Sequence, residues 1–487
     1  MTTRVVAVVA AFLASAAALL VLGPGNETAH LEELRSQQAA RQEARAELSR
    51  EANPLNAVTT TSTTVASEQA TGDEAILVAV TSALVNPIEG QLATVAAQMA
   101  ADGDPGWVPF LVDLVRTFGV GETLDALEDA LAGLTGVAPP AERRDVFTHY
   151  GRWMSAQLPE PRAGYVEWKA QLYGLADPAF TTLLLQVDDP IVAAQLQWGG
   201  VGRGGIPELN DPETIAVAAA DYMTPDELTF GAVVNGEVRS YPHRILDHHE
   251  LANDTLGGEP VALVNCTLCR TGVLYSRRVG DLVLDFQTSG LLRNSNKVMV
   301  DLQTDTLWNQ LTGEAIAGSL AGTVLERFPL TVTTYGAWIE EHPDSGIVAI
   351  PTGFPFTYQP GDAYAEYFAS ADVWYPIAGV PDTFGEKDQV ATVDIDGSQL
   401  AVGVDALDAG GPQVIELGGR TLVAVGTGGG ARIYAAPGPD IDVVTIAAAG
   451  EEALILADGS SLPRIQSGQS FWFAWYLNFP DTAVWPG

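Results

Sequence analysis

Apolar residues recur at helical spacing between about Asp73 and Gln186, as in Leu111, Leu114, Val115 and Phe118, then Leu124, Leu127, Leu131 and Leu134. Breaks at Asn86-Pro87, Gly103-Asp104-Pro105-Gly106 and Pro139-Pro140 divide this stretch into several short helices. They predict an all-α, helical-repeat-like module over 73–186, with Trp153, Tyr165, Trp168 and Tyr173 in the core of its last helices. Modules of this kind scaffold or bind rather than catalyse.

Past Asp188-Asp189-Pro190 the texture changes to short strands punctuated by Gly, Asn and Asp. Phe230 to Tyr241 reads as a β-hairpin about Asn235-Gly236, a dipeptide suited to the left-handed turn that joins twisted strands. A short helix from about Pro242 to Leu251 follows, then a turn at Asn253 to Gly258 and a buried strand, Pro260 to Asn265. Gly272–Ser276 and Leu282–Phe286 predict another hairpin. The order then recurs: Gly397 answers Gly236, Gly418-Gly419 answers Gly257-Gly258, and Tyr434 answers Tyr275. Two sister lobes are expected, 187–340 and 341–487. The second is degenerate, because Val425 and Gly428 stand where the first has Cys266 and Cys269.

The charge-free run Val5–Leu22 adds an N-terminal signal-anchor or signal peptide over 1–25. A helical stalk and a Thr/Ser-rich linker occupy 26–72, with Thr59-Thr60-Thr61-Ser62-Thr63-Thr64 too polar to bury itself. The expected class is therefore α+β: a duplicated β-rich domain with short helices, preceded by the all-α module and a membrane helix. The bulk of the chain is expected outside the cytoplasm, anchored to the membrane through that helix or secreted after cleavage. With 61 acidic against 24 basic residues and a formal charge of −37, the surface repels nucleic acid. A hydrophobic fraction of 47% is enough to build substantial cores.

Only two cysteines occur in the 487 residues, as Cys266-Thr267-Leu268-Cys269. A dithiol at this spacing can close a disulfide, hold a soft metal or exchange with another sulfur. Three of the six histidines, His243, His248 and His249, fall within the preceding short helix, and Glu250 adjoins them. If helix end and strand end face one another, Cys266, Cys269 and His249 make a mixed sulfur and nitrogen site whose softness suits copper or zinc. His243 and His248 then stand nearby, with Glu250 orienting a ring. Asn294, Trp308, Gln310 and Glu314 are candidates to line the same cleft for an unknown small molecule or protein, or else to close turns and fill the core. A thiol/disulfide oxidoreductase is the second reading, and a scaffold or adhesion domain with a Cys266–Cys269 disulfide the third. A c-type haem is excluded because Arg270 stands where its attachment motif needs histidine. Gly428-Gly429-Gly430 lacks the Lys-Ser/Thr of a nucleotide loop.

Tyr241-Pro242, His249-Glu250, Asn253-Asp254, the dithiol, Ser289 to Ser295 and Trp308 to Ile316 together resemble domain-of-unknown-function family 3179, over roughly residues 187 to 487. The resemblance implies membership without implying an activity. Two departures stand out: the family usually shows Tyr-Cys-Pro-Leu-Cys where this chain has Asn265-Cys266-Thr267-Leu268-Cys269, and Trp where it has His248.

Overall fold

Helical periodicity in the first part of the chain becomes helices, and strands begin at Leu196. A computed structural model describes residues 73–85, 90–441, 443 and 446–485. The expected anchor, stalk and linker at 1–25 and 26–72 lie outside the described residues. Among those described, no helix is long and apolar enough to cross a membrane. The chain divides after Ala75, and Ile76–Gly487 folds as one unit.

Helices Gln91–Asp102, Val108–Phe118, Gly121–Thr135, Val146–Gln157, Tyr165–Gly174 and Ala179–Leu185 pack around Trp107, Phe110, Tyr165 and Trp168. Asp104 starts one of the turns by accepting the Gly106 amide at 2.7 Å, and Gly136, at φ 69°, closes another as a left-handed cap. Tyr165, Trp168 and Tyr173 are buried as expected, while Trp153 packs at the edge of the core. At the centre, Asp113 accepts from Tyr165 at 2.6 Å and Tyr173 at 2.7 Å and pairs with Lys169 at 3.1 Å. Both charges are shut away from water, with side chains 3% and 0% exposed, so each depends on the other and on the two phenols.

Five sheets of four to six strands follow, set like the blades of a propeller. The first joins Leu228–Val234 and Glu237–Pro242 to Thr331–Thr334, Gly346–Val348 and Thr214–Ala216. The second contains Leu251–Leu256, Glu259–Cys266 and Thr271–Ser276, and the third Phe286–Arg293, Asn296–Asp301 and Leu307–Asn309. The fourth and fifth come from Gln389–Ile395 onward.

This arrangement overturns the expected class, since the described residues form five blades rather than two sister lobes of a duplicated domain. Hairpin, helix, hairpin and strand do occur in that order at 228–276 and again at 389–436, and the turn residues Asn235 and Gly236 (φ 49° and 83°) match Asp396 and Gly397 (φ 52° and 82°). Each such run nevertheless straddles two blades, and the third sheet has no counterpart. The difference arises from pairing over long sequence separations. Thr331–Thr334 returns to Leu228–Gly231, and Gly468–Phe471 returns to Gln389–Thr392. Gly346–Val348, placed by sequence in the second lobe, pairs with Arg239 and Ser240 of the first sheet. Thr333 and Thr427 then tie the first and fifth sheets, each hydroxyl donating to a backbone carbonyl across the junction, at 2.8 and 2.7 Å.

The connection from 349 to 388 carries one short helix, Ala365–Ala369, and runs as a strap between the sheets. Arg152 of the helical part grips its Glu386 through two bonds of 2.7 and 2.9 Å, and Tyr375 donates to Gly199 O at 2.6 Å. Fork geometry of this kind is more directional than a single ion pair. Asp113→Ala should lower the unfolding free energy by roughly 3 to 5 kcal/mol, because it leaves Lys169 buried without its carboxylate. Denaturant titration measures this, and a loss below about 1 kcal/mol would count against the pairing.

Candidate functional site

The strand Glu259–Cys266 runs into a single 3₁₀ turn, Thr267–Cys269, and returns as Thr271–Ser276, with Cys266 paired to Thr271. Residues three apart eclipse in a 3₁₀ turn, so both thiols project from the same side. Their sulfurs lie 2.8 Å apart, unbridged. Arg270, at φ 51°, gives the left-handed step that turns the chain back. Cys266 is 2% exposed and Cys269 0%, so the pair sits below the surface.

A second turn meets this one. Asn294 and Ser295, at φ 52° and 59°, make a tight hairpin between Phe286–Arg293 and Asn296–Asp301. Left-handed backbone suits Asn better than Ser, and its use here aims the following residues at the sulfurs. Asn296 Nδ2 donates to Cys269 Sγ at 3.1 Å, the Lys297 amide donates to Cys266 Sγ at 3.4 Å, and the Cys269 thiol faces Ser295 O at 3.5 Å. Gln310 fixes the Asn296 amide: its Nε2 donates to Val264 O at 2.9 Å and Thr271 O at 3.1 Å, leaving Oε1 to accept from Asn296 Nδ2 at 3.2 Å. Burial first, and then the Cys266 sulfur, push the Cys269 thiol well above its usual range, while Asn296 and the Lys297 amide draw it partly back.

Glu250 stands beside the turn in a buried polar set. It accepts from Thr267 Oγ1 at 2.8 Å and Tyr364 Oη at 2.7 Å and pairs with Lys297 Nζ at 2.6 Å. Lys297 also bonds Thr288. A carboxylate, an ammonium and three hydroxyls thus satisfy one another next to the dithiol.

His249 is not part of this assembly. Its Nδ1 donates to Pro207 O at 2.8 Å, since a carbonyl can only accept, so Nε2 accepts from Tyr358 Oη at 2.6 Å. Both ring nitrogens are used, and the ring lies among Phe354, Phe356 and Tyr358. The expected Cys266, Cys269 and His249 ligand set is therefore not brought together. The cause is Glu250, whose left-handed conformation at φ 56° ends the helix His243–His249 and separates the ring's direction from its own. Among the described residues, the one group of three such ligand atoms within 4.8 Å of one another is Glu341, His342 and Glu451. Arg432 and Arg464 already pair with those carboxylates.

The other candidates divide. Gln310 belongs to the site through Asn296, and Asn294 shapes the turn. Trp308 is core: its Nε1 donates to Asp301 Oδ2 at 2.9 Å and its ring meets Phe286 edge-on. Glu314 is exposed. His248 stacks on Phe356, and His243 on Phe230. Asn296, Lys297, Tyr364 and Tyr367 escaped the sequence reading. Lys297, a lone cation amid Val298-Met299-Val300, was the available signal. Tyr367 covers the turn from the strap, donating to Leu268 O at 2.7 Å.

Burial holds His249 down at about 4, opposed by the Pro207 carbonyl and assisted by His248. A free imidazole titrates near 6.5, so the unfolded chain takes up a proton that the folded one refuses. The resulting stabilisation, roughly 3 kcal/mol, is complete above about pH 6.5 and is lost as pH falls to about 4. Unfolding of the parent chain and of His249→Gln, compared at about pH 7 and pH 4, should show that share of the pH dependence missing from the variant. Equal slopes would remove His249 as its source.

No curated protein and no solved structure matches the chain. A family model described as "Protein of unknown function (DUF3179)" matches residues 203–482 and leaves the helices before it unmatched. With more than half of its length matched, and with the dithiol turn, Asn296 and Gln310 all inside the match, this chain belongs to the DUF3179 family.

Proposed function

We propose that Cys266 and Cys269 are a reversible thiol/disulfide couple, and that the chain passes two electrons between this pair and an external disulfide or dithiol. Oxidation joins the two sulfurs and releases two protons, and the acceptor's S–S bond is the one reduced. The contact of 2.8 Å between unbridged sulfurs carries the reading, because little rearrangement separates it from a bond. The donors at both sulfurs support it further, since hydrogen bonds to sulfur favour the reduced form. Such chemistry is at home on the extracytoplasmic side that the N-terminal apolar run predicts.

A copper or zinc ion held by the sulfur pair is the competing reading, and it rests on the same contact. Equilibration of anaerobically purified chain with glutathione buffers, followed by alkylation and mass measurement, decides between them. The pair should interconvert within the glutathione range. A pair that stays in one state throughout, or an equivalent of copper or zinc lost in Cys266→Ser, would sink the proposal. In Asn296→Ala the reduced form loses a donor, and the equilibrium should move toward the disulfide by about threefold to tenfold, or about 15 to 30 mV.

A further inference from the structure

Hydrogen-bond accounting leaves a surplus of donors beside the dithiol turn. Asn265 and Arg270 flank the cysteines, and both reach Asp247 on the helix His243–His249. Asn265 Nδ2 donates to Asp247 Oδ1 at 3.0 Å, but Arg270 Nη1 stays 4.0 Å from Oδ2, too far for a hydrogen bond. His243 lies one helical turn before Asp247 on the same face. It is only 7% exposed, its ring stacks on Phe230 at 4.0 Å between centroids, and neither ring nitrogen has a partner. Buried imidazoles are ordinarily satisfied, so this one is an exception. The Arg270 guanidinium lies 4.4 Å over the Phe368 ring of the strap, with a side chain 20% exposed. Burial, and then the charge of Arg270, hold His243 well below its usual pKa.

We propose that Arg270 and His243 form an oxyanion subsite beside the dithiol, and that it takes the carboxylate of a low-molecular-weight disulfide. The proposal rests on the thiol/disulfide reading of the pair. The guanidinium offers parallel N–H donors in a plane that fits a carboxylate, Phe368 fixes that plane, and the imidazole adds one further N–H. Asp247 is the acidic group of this face. It keeps Oδ1 on Asn265 and leaves the donors of Arg270 to the ligand. In the exchange, one cysteine thiolate attacks a sulfur of the bound disulfide, whose S–S bond breaks and whose first thiolate leaves with the proton that the cysteine gave up. The second cysteine then attacks the mixed disulfide and its proton goes to the second leaving thiolate. The chain gains one disulfide, and the ligand becomes two thiols.

The test uses the reduced full chain with two probes, glutathione disulfide, which carries carboxylates, and 2-hydroxyethyl disulfide, which is neutral. The ratio of their second-order rate constants is the readout. Arg270→Gln should lower that ratio by about tenfold, as should His243→Leu, and Arg270→Lys, which keeps the charge and loses the fork, should lower it less. Arg420→Gln removes an exposed cation paired with Asp396 and should leave the ratio unchanged, which separates local recognition from net charge. A ratio within about twofold of the parent in both Arg270 variants overturns the subsite while leaving the dithiol reading in place. If neither probe oxidises the parent chain, the exchange reading and the subsite fall together.

Discussion

Burying a dithiol turn between two strands takes its carbonyls and both sulfurs out of water, and unpaired polar groups in such a place are costly. Partners arrive from three directions. The hairpin turn at Asn294-Ser295 supplies donors to the sulfurs, the strap supplies Tyr367 to the Leu268 carbonyl, and Glu250 takes the Thr267 hydroxyl. Glu250 is itself buried and is balanced by Lys297, whose backbone amide is one of those donors. One residue thus serves the ion pair with its side chain and the sulfur with its main chain. That double duty places the second and third sheets against each other at the site.

The strap gives the site its cover and connects it to the rest of the molecule. Cys266, Leu268 and Cys269 share an apolar cluster with Tyr367, Val373 and Ile377 of the strap and with Phe471 and Phe473 of the fourth sheet and its helix. The same strap is held by Arg152 and lies under Arg116, both from the helices. Part of the cover over the thiols is therefore a segment with little regular structure of its own, which is tied to the helical part. Segments of that kind sit at the low-stability end of a fold.

The histidines show how chemistry can be misjudged from proximity along a chain. His243, His248 and His249 share one short helix, yet His243 stacks on Phe230 while His248 and His249 both meet Phe356 and Tyr358. The latter two rings enter an aromatic pocket made by residues more than a hundred positions later. Their partner Tyr358 carries no periodic signal, because it comes from an irregular connection.

Local pattern alone determined the helices before Gln186, the hairpin at Asn235-Gly236, the short helix after Pro242 and the strand that delivers Cys266, since each follows from short-range periodicity and turn chemistry. Spacing also put the two sulfurs on one turn. Which strands close each blade, which ring meets the cysteines and what covers them were decided only in three dimensions. Thr331–Thr334, Gly468–Phe471, Asn296 and Tyr367 find their partners across loops whose closure leaves no local trace. The physical reason is that a hydrogen bond or an apolar contact rewards proximity in space, and a sequence records proximity only along the chain.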